Sequence, residues 1–211
     1  MKEKDDNDWT SYIYDYMHQI IQVYRDKQNE FFFTRGDVEF PIADEGLGFK
    51  VNLHSNMKEV YNTAYYLNPQ SILEVGCGGC YHLKGLNIIL PNSEIHGCDI
   101  SQVQIDFGKW FSQLPPEIEE NIFLHNVAQK ELPRQYDLVF TNAVVMHQSN
   151  VNAICMMMNM KKASKKYILL IENPDHHGGE FLWRTMVKTV FIDCDISYKG
   201  HFIENAVLIT K

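Results

Sequence analysis

Ser71-Ile72-Leu73-Glu74-Val75-Gly76-Cys77-Gly78-Gly79-Cys80 is an apolar, strand-forming run that empties into a glycine-rich turn. Glycine is needed there when the backbone adopts unusual dihedrals and a ligand approaches the main chain closely. Downstream, short apolar runs alternate with helical stretches, the pattern of parallel strands joined by right-handed crossovers. Strands are expected at 71–75, 94–98, 122–125, 136–141 and 167–172, and helices near 81–90, 102–113 and 151–163. At the C-terminal end, 190–197 and 202–210 both read as strands with only Tyr198-Lys199-Gly200-His201 between them, which is a hairpin signal.

Upstream, Trp9, Ile13, Tyr16, Met17, Ile20, Ile21 and Tyr24 recur at three- and four-residue spacings and predict an amphipathic helix. Gly36, Pro41, Gly46 and Gly48 then punctuate a segment carrying Phe31-Phe32-Phe33, an irregular loop. A helix from Ser55, read as its N-cap, runs to Leu67 and is stopped by Asn68-Pro69. The division expected is a helical and loop cap over 1–69, packed on a core over 70–211. The segment from Trp9 to Leu53 is assigned to closing over the substrate, with the three phenylalanines as its lid.

The chain has 211 residues, 45% apolar and 22% charged, with a net charge of -8. That composition suits one globular domain. The negative field repels phosphate, so nucleic acid is not expected as a partner, while small neutral or cationic molecules are. No apolar run approaches the roughly 20 residues that span a bilayer, and residues 1–8 are too charged for a secretory signal. Five cysteines, an odd number without a framework, fit a reducing compartment, so the expected location is cytoplasmic. The nine histidines show no metal-ligand spacing, no metal is expected, and Cys77-x-x-Cys80 reads as packing around the turn. The oligomeric state is not legible.

A dinucleotide fingerprint requires a third glycine at position 81, which is Tyr81. Glu74-x-Gly76-x-Gly78 instead resembles motif I of the Rossmann-like, class I S-adenosylmethionine-dependent methyltransferases. The resemblance implies an α/β, three-layer fold with a mostly parallel seven-stranded sheet and an antiparallel C-terminal strand. It also implies S-adenosyl-L-methionine as cofactor. By the same resemblance Asp99, 21 residues beyond Gly78, takes the ribose, and Ile100 flanks the adenine. Glu74 lies near the methionine end, with Gly76, Cys77 and Gly78 forming the turn. Asn126 and Val127 stand where the family contacts the adenine amino group, and Asn142 opens the motif IV region that runs to His147. One departure is Cys80 at the third motif I glycine, where a side chain is expected to crowd the methionine moiety.

Methyl transfer from a sulfonium needs alignment and exclusion of water more than activation of the donor. A hydroxyl or amine acceptor benefits from a general base. His147 is the first candidate, with His176 and Glu172 behind it. Motif IV lacks the Asn/Asp-Pro-Pro-Tyr/Phe pattern of methyltransferases acting on bases or glutamine, which leaves a small-molecule acceptor. A faint similarity to methyltransferases of bacterial surface-sugar biosynthesis leans toward a sugar or sugar nucleotide. Two other readings remain open at this point: a non-catalytic partner subunit of the same fold, favoured by Cys80, and an NAD-dependent oxidoreductase, disfavoured by Tyr81.

Overall fold

A computed structural model describes residues 55–112 and 114–211. The amphipathic helix and the aromatic loop expected over 9–53 lie outside the described residues. Helix α1 (Ser55–Leu67) leads into β1 (Ser71–Val75), α2 (Tyr81–Ile89), β2 (Glu94–Asp99), α3 (Gln102–Ser112), the short α4 (Pro116–Glu119) and β3 (Ile122–Leu124). There follow β4 (Tyr136–Asn142), α5 (Asn150–Ala163), β5 (Ser164–Ile171), α6 (Glu180–Val190), β6 (Asp195–Ser197) and β7 (Ala206–Thr210). Two single 3-10 turns, Val145–His147 and Pro174–His177, sit after β4 and β5.

The seven strands are ordered β3-β2-β1-β4-β5-β7-β6. β1 to β5 pair in parallel, and β7 runs antiparallel between β5 and β6. This departs from the dinucleotide order, whose sixth strand follows the fifth directly. Alternate strand residues feed two cores. Ile72, Leu138 and Phe140 pack with Tyr61, Leu83 and Leu86 of α1 and α2 on one face, while Leu73, Val139 and Ile168 pack with Met157 and Trp183 of α5 and α6 on the other. The result is three layers, helix, sheet and helix.

α1 ends where Asn68 turns left-handed at φ 43° and returns its N–H to the Ala64 carbonyl at 2.9 Å, and Pro69 forbids continuation. Its buried Glu59 accepts the Phe202 N–H at 2.7 Å and so fastens α1 to the C-terminal hairpin.

Two expectations are corrected. Residues 190–197 do not form one strand, because Val190 closes helix α6 and only Asp195–Ser197 is extended. Trp183, Met186, Val187 and Val190 are buried at helical spacing, and burying that stripe against α5 overrides the β-propensity of the Val and Thr residues. The hairpin itself forms, with Ser197 opposite Leu208, but the link between its strands spans 198–205 instead of four residues.

The glycine turn is held from the side by α3. A Cβ on Gly108 would lie 2.5 Å from the Cys80 Sγ and 2.6 Å from the Gly78 carbonyl oxygen. Glycine to alanine inside a helix ordinarily stabilises by about 1 kcal/mol. Here a backbone atom is the obstacle, so Gly108→Ala is expected to destabilise by about 2 kcal/mol, the scale of an overpacked core. Chemical denaturation would check the sign, and a stabilised variant would show that α3 moves freely off the turn.

Candidate functional site

The strand order reverses between β1 and β4, and a cleft holding about 150 Å³ of free space opens there beyond the carboxyl ends of the strands. The position is where open α/β sheets bind ligands. Gly76 and Gly78 take φ values of 77° and 43°, so the turn after β1 is built on left-handed backbone. The Gly76 N–H is anchored on the Cys98 carbonyl at 2.7 Å. The Gly78 N–H donates to Asp99 Oδ2 at 2.9 Å, and the Ser101 N–H donates to Asp99 Oδ1 at 2.9 Å. Asp99 is thus fixed at the cleft wall by one amide on each oxygen.

Of the residues expected to hold the donor, Gly76, Gly78, Asp99, Ile100, Val127 and Asn142 line this cleft. Glu74, Cys77 and Asn126 are not part of its lining. Glu74 is buried, and its Oε1 lies 2.6 Å from His82 Nδ1. Burial pushes the Glu74 carboxyl up, opposed by the neighbouring His82. Cys77 is buried beneath the turn, with its Sγ 3.0 Å from where a Cβ on Gly97 would sit. The Asn126 side-chain oxygen accepts the Ala128 N–H at 3.1 Å, so the carbonyl assigned to an adenine amino group closes a local turn.

Cys80 requires a further correction. It is fully buried at φ 59°, its Sγ donates to the Gly78 carbonyl at 3.4 Å, and its side chain packs toward Gly108. The thiol fills the gap between the turn and α3 and does not line the cleft. A side chain at the third glycine position therefore does not obstruct the ligand space.

The opposite wall follows β4. Ala143 adopts φ 56° and Val144 leans over the turn, 2.4 Å from where a Cβ on Gly76 would sit. Glu172, just past β5, grips this segment by accepting the Val144 N–H at 3.2 Å, the Met146 N–H at 3.0 Å and the Thr141 hydroxyl at 3.3 Å. It is buried and does not line the cleft, so the structure places it as a brace for the wall. His147, at the end of the first 3-10 turn, and His176, in the second, meet edge to face with ring centroids 6.1 Å apart. Neither is in the cleft lining, but Gln148, next to His147, is. His177 is buried, bonded to Asn150 at 3.0 Å and stacked on Trp183, which fixes the second turn beneath His176.

Burial pushes the Glu172 carboxyl up to about 7 against the pull of its amide donors. A free glutamate titrates near 4.3. The folded value is the higher one, so the group's stabilising contribution is complete below about pH 4 and is lost as pH rises through 7. The loss is on the order of 3 kcal/mol for a fully buried group. Wild-type melting temperature is thus expected to fall from pH 5 to pH 8 more steeply than that of Glu172→Gln. Parallel slopes would mean that Glu172 does not titrate in this window.

Gln104, Gln148, His125 and Met156 also line the cleft and were missed in the sequence, as was His82 beside Glu74. Gln104 had an available signal: it lies in the first turn of the helix that begins at the carboxyl edge of β2, where side chains face a ligand. Among the described residues, no helix is long and apolar enough to cross a membrane.

Residues 73–161 match the family model described as a methyltransferase domain. The malonyl-[acyl-carrier protein] O-methyltransferase of Anoxybacillus flavithermus is 25% identical over 145 residues, covering 69% of this chain. The match spans 48% of that enzyme, about half its length. The magnesium protoporphyrin IX methyltransferase of Synechocystis, solved with S-adenosylmethionine bound, superposes with a TM-score of 0.58 at 14% identity, covering 92% of this chain and 96% of that one. CalS10, an amino pentose methyltransferase of Micromonospora echinaspora, gives 0.59 at 13% identity over 74% and 90% of the two chains. The methyltransferase domain of bacterial CtHen1-CN gives 0.62 at 14% identity over 74% and 98%.

Proposed function

Since the described chain carries a class I, Rossmann-like S-adenosylmethionine-dependent methyltransferase domain, we propose that the protein transfers the donor methyl group to a hydroxyl or amine of a small molecule. The observation that carries this reading is the left-handed Gly76–Gly78 turn joined to Asp99 at the head of the cleft. The residues present fit the cofactor. Gly78 offers main chain without a side chain in the way, and Asp99 brings a carboxylate acceptor to the same wall for the ribose hydroxyls. Val127 and Ile100 supply apolar surface for a base.

S-adenosylmethionine, when bound, supplies an electrophilic methyl group on a positively charged sulfur. The chain's task is alignment. Asp99 and the turn hold the nucleoside, Val144 and Asn142 form the wall where the acceptor meets the donor, and Glu172 keeps that wall in one conformation. His147, supported edge-on by His176, receives the acceptor proton as transfer proceeds.

The lining of the cleft contains no lysine or arginine among the described residues, which supports an uncharged or cationic acceptor. Of the sugar and sugar nucleotide, a sugar is our finer assignment, because the phosphates of a sugar nucleotide would meet no cation in this lining; the fold is shared with an amino pentose methyltransferase. The segment over 9–53 remains our proposed lid for that acceptor. Buried free thiols at Cys77, Cys80 and Cys98 support a cytoplasmic location. Cys80, the feature that favoured a non-catalytic partner subunit, is turned away from the ligand space and no longer supports that reading.

The test is incubation of the purified chain with radiolabelled S-adenosylmethionine and a panel of small alcohols, amines and sugars. Label transfer with release of S-adenosylhomocysteine is expected for at least one of them. Absence of both transfer and donor binding by calorimetry would refute the assignment; binding without transfer to any of them would return the partner-subunit reading.

A further inference from the structure

Gln104 stands out among the polar side chains of the cleft. It is 6% exposed, and its backbone N–H is engaged by the Ser101 hydroxyl at 3.4 Å. Its carboxamide, however, takes no hydrogen bond from any described residue. A carboxamide carries two donors and an acceptor, and leaving such a group dry and unpaired is costly. Its polar atoms retain contact with the cleft, so the partner it lacks within the protein is one that a ligand can supply.

Its position says which part of the ligand. The carboxamide oxygen lies 3.7 Å from where a Cβ on Gly78 would sit, and the Gly78 N–H is itself bonded to Asp99. Gln104 and Asp99 therefore both meet Gly78 at the carboxyl end of β2. Their chemistry is complementary. An ionised carboxylate only accepts, so Asp99 takes the protons of two hydroxyls and leaves the hydroxyl oxygens with free lone pairs. The Gln104 amide can donate to one of those oxygens.

We infer that Gln104 is a specificity-determining residue of the donor site, donating its side-chain N–H to a ribose hydroxyl oxygen while Asp99 accepts from the same diol. This rests on the donor assignment made above. The pair would recognise a vicinal diol with Asp99 accepting and Gln104 donating. A deoxyribose offers only half of the pattern.

Calorimetry with S-adenosylhomocysteine, its 2′-deoxy and 3′-deoxy analogues, and 5′-methylthioadenosine tests the inference. Gln104→Leu, which keeps the volume and removes the amide, is expected to weaken S-adenosylhomocysteine about ten-fold, the scale of one hydrogen bond. It should weaken 5′-methylthioadenosine by a similar factor, because that ligand keeps the ribose and lacks the amino-acid end. For whichever deoxy analogue lacks the contacted hydroxyl, mutant and wild type should agree within about two-fold. Equal losses across both deoxy analogues, no loss with the parent ligand, or a loss absent from 5′-methylthioadenosine would each overturn it. Failure of wild-type protein to bind S-adenosylhomocysteine would instead sink the donor assignment, and a folded Gln104→Glu variant guards against reading a misfolded Leu variant as a lost contact.

Discussion

Asp99→Ala is expected to cost at least 100-fold in affinity for S-adenosylhomocysteine. The carboxylate has two tasks, and the substitution removes both. In the donor assignment proposed above it would accept from two hydroxyls, and hydrogen bonds to a charged group contribute about 1.5 to 3 kcal/mol each, so a loss of roughly 3 kcal/mol or more is expected. Toward the protein it accepts the Gly78 and Ser101 amides, one on each oxygen. Without it the glycine turn keeps its anchor on the Cys98 carbonyl but loses the side-chain contact that holds Gly78 to the end of β2. A lowered melting temperature should therefore accompany the lost affinity. Asp99→Asn, which keeps one acceptor and presents an N–H where an acceptor is needed, should be intermediate in affinity. Calorimetry that finds Asp99→Ala folded and binding normally would remove Asp99 from the donor site.

His147→Ala should reduce kcat on the order of 100-fold while leaving donor affinity within about three-fold. The asymmetry follows from position. His147 belongs to the turn between Val144 and Gln148, which continues the wall after β4, whereas Asp99 ends β2. The lower limb of the pH–rate profile, which reports a base that must be unprotonated, should disappear in the variant. His176→Ala removes only the ring that steadies His147 and should cost less, with that limb retained. If His147→Ala turns over as fast as wild type, the acceptor proton leaves by another route and His147 is part of the wall alone.

The parts of the site that could be read from the chain are those whose geometry is set by local backbone. A buried strand, two alternate glycines and a carboxylate 21 residues further on leave few options for the loop, and Gly76, Gly78 and Asp99 stand where the spacing put them. Residues whose role depends on which way a side chain turns were harder. Glu74 and Glu172 both end strands at the correct edge, yet one is turned to His82 and the other to the amides after β4. Asn126 is drawn into its own turn by an amide two residues ahead. Gln104 and Gln148 carry no charge and belong to no spacing pattern, so only their placement marks them. Helix α6 was concealed because Val187, Thr189 and Val190 favour strands locally, and the packing partner that reverses the preference lies some 30 residues earlier in α5.

The grip of Glu172 on the segment after β4 bears on how this scaffold could be retargeted. Inserting or deleting a residue between Ala143 and Met146 would pull two amides off a carboxylate that has no water to fall back on. Loop grafting at this wall is therefore a poor route to new acceptors. Point changes at His147, Gln148 and His176 leave those amide contacts in place, so a designer's freedom here is one of side-chain chemistry on a fixed frame.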